Sequence, residues 1–141
     1  MSNQLVEQSL IKSRSYQSFE EVCAKVEAVC AQHGFSLLSA FDLAETFHSK
    51  GVEFDGQCRI FEFCNPAIAA AVMEDNRDAS ALLPCRMSVY TQPGRDEVFI
   101  SSVAPTSLIE LINSPFAVEA VEEVESTVRA MVMQLASGPE A

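Results

Sequence analysis
Cys64 and Cys85 are the side chains whose setting best suits chemistry. Cys64 stands directly before Asn65-Pro66. Asn caps a helix and Pro suits its first position, so this is a helix start. The amide groups and dipole there favour a thiolate, which would raise the reactivity of Cys64. Cys85 follows Pro84 in the run Leu-Pro-Cys-Arg, at the start of a strand. Strand ends beside helix starts are where pockets open in mixed sheets. A Cys64–Cys85 pair would suit a soft metal, a sulfur-containing small molecule or a haem-like cofactor. Cys64 could also serve as a nucleophile that Cys85 resolves to a disulfide. The plainer reading makes both small buried hydrophobes, since free cysteine is among the most buried residue types.

The neighbouring candidates carry plain readings of their own. Cys58 shares a strand face with Cys64 but lies six residues before it. That is about 20 Å on a straight strand, which disfavours a three-cysteine zinc site within one subunit. Arg59 and Arg86 each follow a cysteine. An arginine on a half-buried strand needs a carboxylate or an anionic ligand. Surface ion pairs are the expectation for both; facing a pocket, they would suit a small anion. His48, just before the Gly51 loop, could orient a ligand or move a proton, or simply be a loop histidine. The candidate ligand set is therefore Cys64, Asn65, Cys85, Arg86 and His48, with Cys64 and Cys85 as the candidate metal ligands. No phosphate-binding glycine loop, nucleophile elbow or CxxC pair occurs, so no cofactor is named and enzymatic activity stays open.

The elements that must position these residues follow from periodicity. Residues 4–15 read as a strand. Ser18 and Glu21 form a capping box, and Phe19, Val22, Cys23, Val26, Val29 and Cys30 make one apolar stripe up to Gly34. Phe35, Leu37, Phe41 and Leu43 alternate as one face of a strand. A helical turn over 44–50 and a loop turning at Asp55-Gly56 follow. Cys58–Cys64 is apolar on both faces. It is either a central strand or one whose second face meets another subunit. The Asn65-Pro66 helix, rich in alanine, should be buried and end near Asn76. A strand over 82–92, in which Leu83, Cys85, Met87 and Val89 share a face, turns at Pro93-Gly94 into Val98–Val103. A short helix follows Pro105, and Ser114-Pro115 opens a last helix with Val121, Val124, Val128, Met131 and Leu135 as its stripe. The order predicts an α+β fold: a mainly antiparallel sheet with helices packed on one face. Residues 1–136 make a single domain, and 137–141 a disordered tail.

Composition narrows the partners. The chain has 141 residues, 48% hydrophobic and 21% charged, enough to bury a core without a metal or disulfide. Twenty acidic against nine basic side chains give a net charge of −11, a field that repels phosphate. Nucleic acid and anionic membrane surfaces are therefore excluded as expected partners. No apolar run is long enough to span a bilayer, and the N-terminus does not read as a secretory signal. The expectation is a cytoplasmic protein with its five cysteines reduced.

Residues 51–76 with Cys64-Asn65-Pro66, then Leu83-Pro84-Cys85-Arg86 and Val89-Tyr90, resemble a bacterial and archaeal family, domain of unknown function number three hundred and two. The resemblance covers about residues 18–112. It stops before the terminal helix, which then reads as a local addition that covers the sheet or builds an interface. It implies a compact α+β domain related to the TATA-binding-protein-like fold, often a dimer, and no established function. Many relatives carry Gly-Asn-Pro and lack the second cysteine, so Cys58, Cys64 and Cys85 mark a cysteine-bearing branch. The leading expectation is a small homodimeric binding module with a small-molecule pocket at Cys64, Asn65 and Cys85. The alternatives are a thiol redox protein or enzyme, and an interaction domain that binds a protein through its second sheet face.

Overall fold
The computed structural model describes residues 9–112 and 114–138. The first strand, β1, spans Leu10–Ser15; residues 4–8 of the expected strand lie outside the described residues. Helix α1, Phe19–Gln32, starts on a reciprocal capping box between Ser18 and Glu21. Its end is a Schellman motif. Phe35 N–H donates to the Cys30 carbonyl at 2.9 Å and Gly34 N–H to that of Ala31 at 3.2 Å. This requires the φ of +81° that Gly34 supplies.

Strand β2, Ser36–Asp42, leads into helix α2, Leu43–Ser49, and then strand β3, Cys58–Cys64. Helix α3, Pro66–Asp75, is followed by a 3-10 helix, Arg77–Leu82, and strand β4, Cys85–Thr91. The turn at Pro93-Gly94 joins β4 to strand β5, Val98–Val103. In place of one short helix after Pro105, two 3-10 turns, Pro105–Ser107 and Ile109–Leu111, lead to helix α4, Pro115–Ser137. Ser137, expected in the disordered tail, is the last residue of α4, and residues 139–141 lie outside the described residues.

The strands form one five-stranded antiparallel sheet in the order β1-β5-β4-β3-β2. Opposed residues in such pairs share a face, so the register sorts the side chains. Ile11, Ile100, Met87, Val89, Phe61 and Phe63 point one way. They form the main core with the α1 stripe and with Val124, Val128, Met131, Val132 and Leu135 of α4. The α+β fold with helices over an antiparallel sheet face is thus present. The other face carries Cys58, Ile60, Glu62 and Cys64 of β3, with Ser88 and Tyr90 of β4. β3 is interior, and Ile60 and Phe61, on opposite faces, are each 4% exposed.

Two expectations need correction. Phe35, Leu37, Phe41 and Leu43 do not form one face. The register slips between Leu37 and Ser39, so Leu37 opposes Phe63 while Phe41 opposes Ile60 on the other side. One extra residue in the ladder inverts the alternation beyond it. Leu43 already belongs to α2. Helix α3 is also not buried as a whole: Val72 is its one buried residue, and Pro66, Ala67 and Ala70 are exposed. Its apolar composition reflects the small surface of alanine, not burial on all sides.

Candidate functional site
A cavity of about 160 Å³ opens where β3 ends and β4 begins. Helix α3 roofs it with Ile68, Ala69 and Val72. The 3-10 segment and cis peptide Leu83-Pro84 bring Ala79, Leu82, Leu83 and Pro84 along one wall. The far wall holds Leu108, Ile109, Ile112, Val121 and Val124 from the connection into α4 and from α4 itself. Part of this wall is a second hydrophobic cluster built on Val72, Ala79 and Ala117. Ser114 ties the two sides: its hydroxyl donates to Asp75 at the end of α3 and accepts from Ala117 N–H at 3.2 Å.

The lining also includes Cys64, Asn65, Cys85 and Arg86. Cys64 and Arg86 lie on the face opposite the main core, since Cys64 opposes Ser36 and Arg86 opposes Glu62. Cys85 opposes Phe63 and lies on the core side. The cavity wraps the end of the sheet, and this brings thiols from opposite faces to one space. Asn65 caps α3 by accepting from Ile68 N–H at 3.1 Å. Its side-chain nitrogen donates to no partner among the described residues.

The two arginines part ways. Arg59 donates to both carboxylate oxygens of Glu20, at 3.3 and 3.2 Å, and lies over the Phe19 ring at 5.1 Å. Asp42 completes the set at 3.8 Å, so Arg59 is the ion pair that was expected. Arg86 is exposed, and among the described residues no carboxylate lies within 4.0 Å of its guanidinium. Its cross-strand neighbour Glu62 accepts instead from the Ser39 hydroxyl at 2.7 Å.

His48 is not brought to the cavity. It sits exposed near the end of helix α2, its Nε2 3.0 Å from the Phe54 carbonyl of the following loop, where Phe54 packs edge to face on Phe47. Cys58 faces Tyr90 further along β3, away from Cys64. Among the described residues no group of three or more His, Cys, Asp and Glu could hold a metal ion. All five cysteines are free. Burial pushes the Cys85 thiol up to about 11, with the nearby Cys64 adding to it. Burial likewise raises Cys23 and Cys30 to about 11 and pushes Cys58 upward. Sequence reading missed the far wall. Its residues are ordinary apolar positions, and only their convergence distinguishes them.

No curated protein matches the chain. The crystal structure of an uncharacterised conserved protein DUF302 from Bacillus stearothermophilus is similar, with a TM-score of 0.82 and 28% identity. The likeness covers 89% of this chain and 97% of that one. The profile of the domain of unknown function DUF302 matches residues 11–135. That span includes almost all of α4 and corrects the expectation of a family match ending near residue 112. The terminal helix, with its six buried residues, is part of the family scaffold, and the chain belongs to the DUF302 family.

Proposed function
We propose that residues 1–136 form one small-molecule binding domain whose ligand sits in the cavity beneath α3. The observation that carries this reading is an apolar cavity of about 160 Å³ whose lining includes two thiols and few polar side chains. Apolar walls with a few placed polar groups are the usual make-up of ligand sites. An apolar cavity near this size is roomy enough for a small organic molecule. The residues favour an organic ligand over a bare metal ion, since the two thiols lack a third ligand among the described residues. A sulfur-containing or flat apolar molecule would place its polar end beside Cys64 and Cys85. A nucleophile-and-resolving pair has less support, because Cys85, raised to about 11, stays a thiol at neutral pH.

The reading places the domain in the cytoplasm, as a homodimer joined through the sheet face that α1 and α4 leave open. That face carries the stacked Tyr90 and Phe99 and the exposed Phe41 and Val103. The test is native mass spectrometry, with elemental analysis, on protein purified without oxygen or chelator. A retained organic mass in the wild type that is lost in Ala69→Phe, with the dimer intact, is the expected result. Bare mass in both, with no thermal stabilisation by apolar probes, overturns the ligand reading. A monomer overturns the dimer.

A further inference from the structure
On the reading that the cavity is a ligand site, its walls decide the ligand's chemistry. Of the residues that line it, only Asn65 and Arg86 carry a nitrogen or oxygen in the side chain. Neither is a buried polar group awaiting a ligand. Arg86 is exposed on the open sheet face, where its charge acts on the Cys58 thiol. Asn65 has its oxygen in the α3 cap and its nitrogen nearest Gly34. Among the described residues, every buried side-chain nitrogen and oxygen has a hydrogen-bond partner. A hydroxyl, ammonium or carboxylate drawn in from water would therefore lose its hydrogen bonds without side-chain replacements.

What remains facing the space is hydrocarbon and two thiols, Cys64 and Cys85. The raised Cys85 thiol reports surroundings that oppose charge. Thiols are weak donors and polarisable, so they suit a sulfur atom or a ring edge better than an ionic group. The volume sets the size. An apolar cavity of about 150 Å³ stays dry and holds benzene. A tetrapyrrole is several times too large for the space found here.

We propose that the cavity selects a neutral ligand without hydrogen-bonding groups, of about six to eight non-hydrogen atoms. A single ring or a short thioether fits that description, its ring edge or sulfur against the thiols of Cys64 and Cys85. Acids, amines and alcohols of the same size are rejected, and Arg86 plays no part in binding.

The test is a set of NMR titrations of the full chain with toluene, thioanisole, phenol, benzoate and benzylammonium, following the Ala69 and Val72 amides of the roof. Toluene and thioanisole bind. Phenol binds at least about tenfold more weakly than toluene, the cost of a hydroxyl left without a partner. Benzoate and benzylammonium leave both amides unmoved. Benzylammonium separates the walls from the overall field: a chain of net charge −11 attracts it, so its exclusion belongs to the cavity. Arg86→Gln leaves the whole series unchanged. Benzoate, benzylammonium or phenol bound as tightly as toluene, or an affinity that Arg86→Gln lowers, overturns the neutral-ligand assignment and leaves the cavity reading standing. Binding of none of the five overturns both.

Discussion
Five thiols with the same chemistry occupy different surroundings, and those surroundings set how each behaves. Cys30 is fully buried and Cys23 is 7% exposed, while Cys58, Cys64 and Cys85 are partly open. Brief alkylation of the native protein should therefore modify Cys58 and Cys64 well before Cys23 and Cys30, as read by peptide mass mapping. Equal labelling of all five would show that the core opens faster than the reagent reacts. The raised thiols also make stability depend on pH. Unfolded, they ionise near pH 8.5; folded, Cys23, Cys30 and Cys85 hold their protons to about 11. The unfolded state loses protons first, so their contribution is complete below about pH 8.5 and is lost as pH rises through 11. The urea midpoint should fall between about pH 8 and about pH 10.5, and fall less in Cys30→Ala.

At the scale of elements, α3 and its cap decide whether the cavity has a roof. Asn65 fills one orphan amide of a ten-residue helix that buries only Val72. Such a helix has little packing to replace a lost cap. Asn65→Ala should lower stability by about 1 kcal/mol, seen as a shifted unfolding midpoint, with earlier hydrogen exchange at Ala67 and Ile68. Unchanged exchange in α3 would mean that Pro66 and the Ser114–Asp75 tie hold the helix without the cap. The β2 bulge acts at the same scale. It turns Leu37 to the core side and Phe41 to the open face of a sheet whose edge is β2.

Across the whole molecule, α4 closes both the core and the cavity. It buries Val128, Met131, Val132 and Leu135 completely, and lends Val121 and Val124 to the cavity wall. Ser13 Oγ donates to the Val132 carbonyl at 3.0 Å, and His33 and Gln32 meet Gln134 at the far end. Met131→Ala should cost about 2–5 kcal/mol, the usual range for emptying a filled core position, and should appear as a lower melting temperature. A chain ending at residue 112 should lack cooperative unfolding altogether, because β1 and β5 would present Ile11 and Ile100 to water. A sharp calorimetric transition in that truncated chain would contradict the role given to α4.

Local chemistry alone determined much of this protein. Caps at Ser18, Asn65 and Ser114 fixed three helix starts, since they depend on residues within a turn of one another. Alternation fixed β3, β4 and β5, and the Cys64-Asn65 and Leu83-Pro84-Cys85-Arg86 runs supplied residues of the cavity lining. The tertiary structure decided the rest, because those outcomes depend on residues far apart in the chain. Strand order places β5 between β1 and β4, so that α4 can lie across both the core and the cavity. A one-residue slip decides which face Phe41 occupies. Arg59 finds its acids on α1 and β2, while Arg86 finds none among the described residues. Cys64 and Cys85 share one cavity because it wraps around the end of the sheet, an arrangement no spacing along the chain expresses.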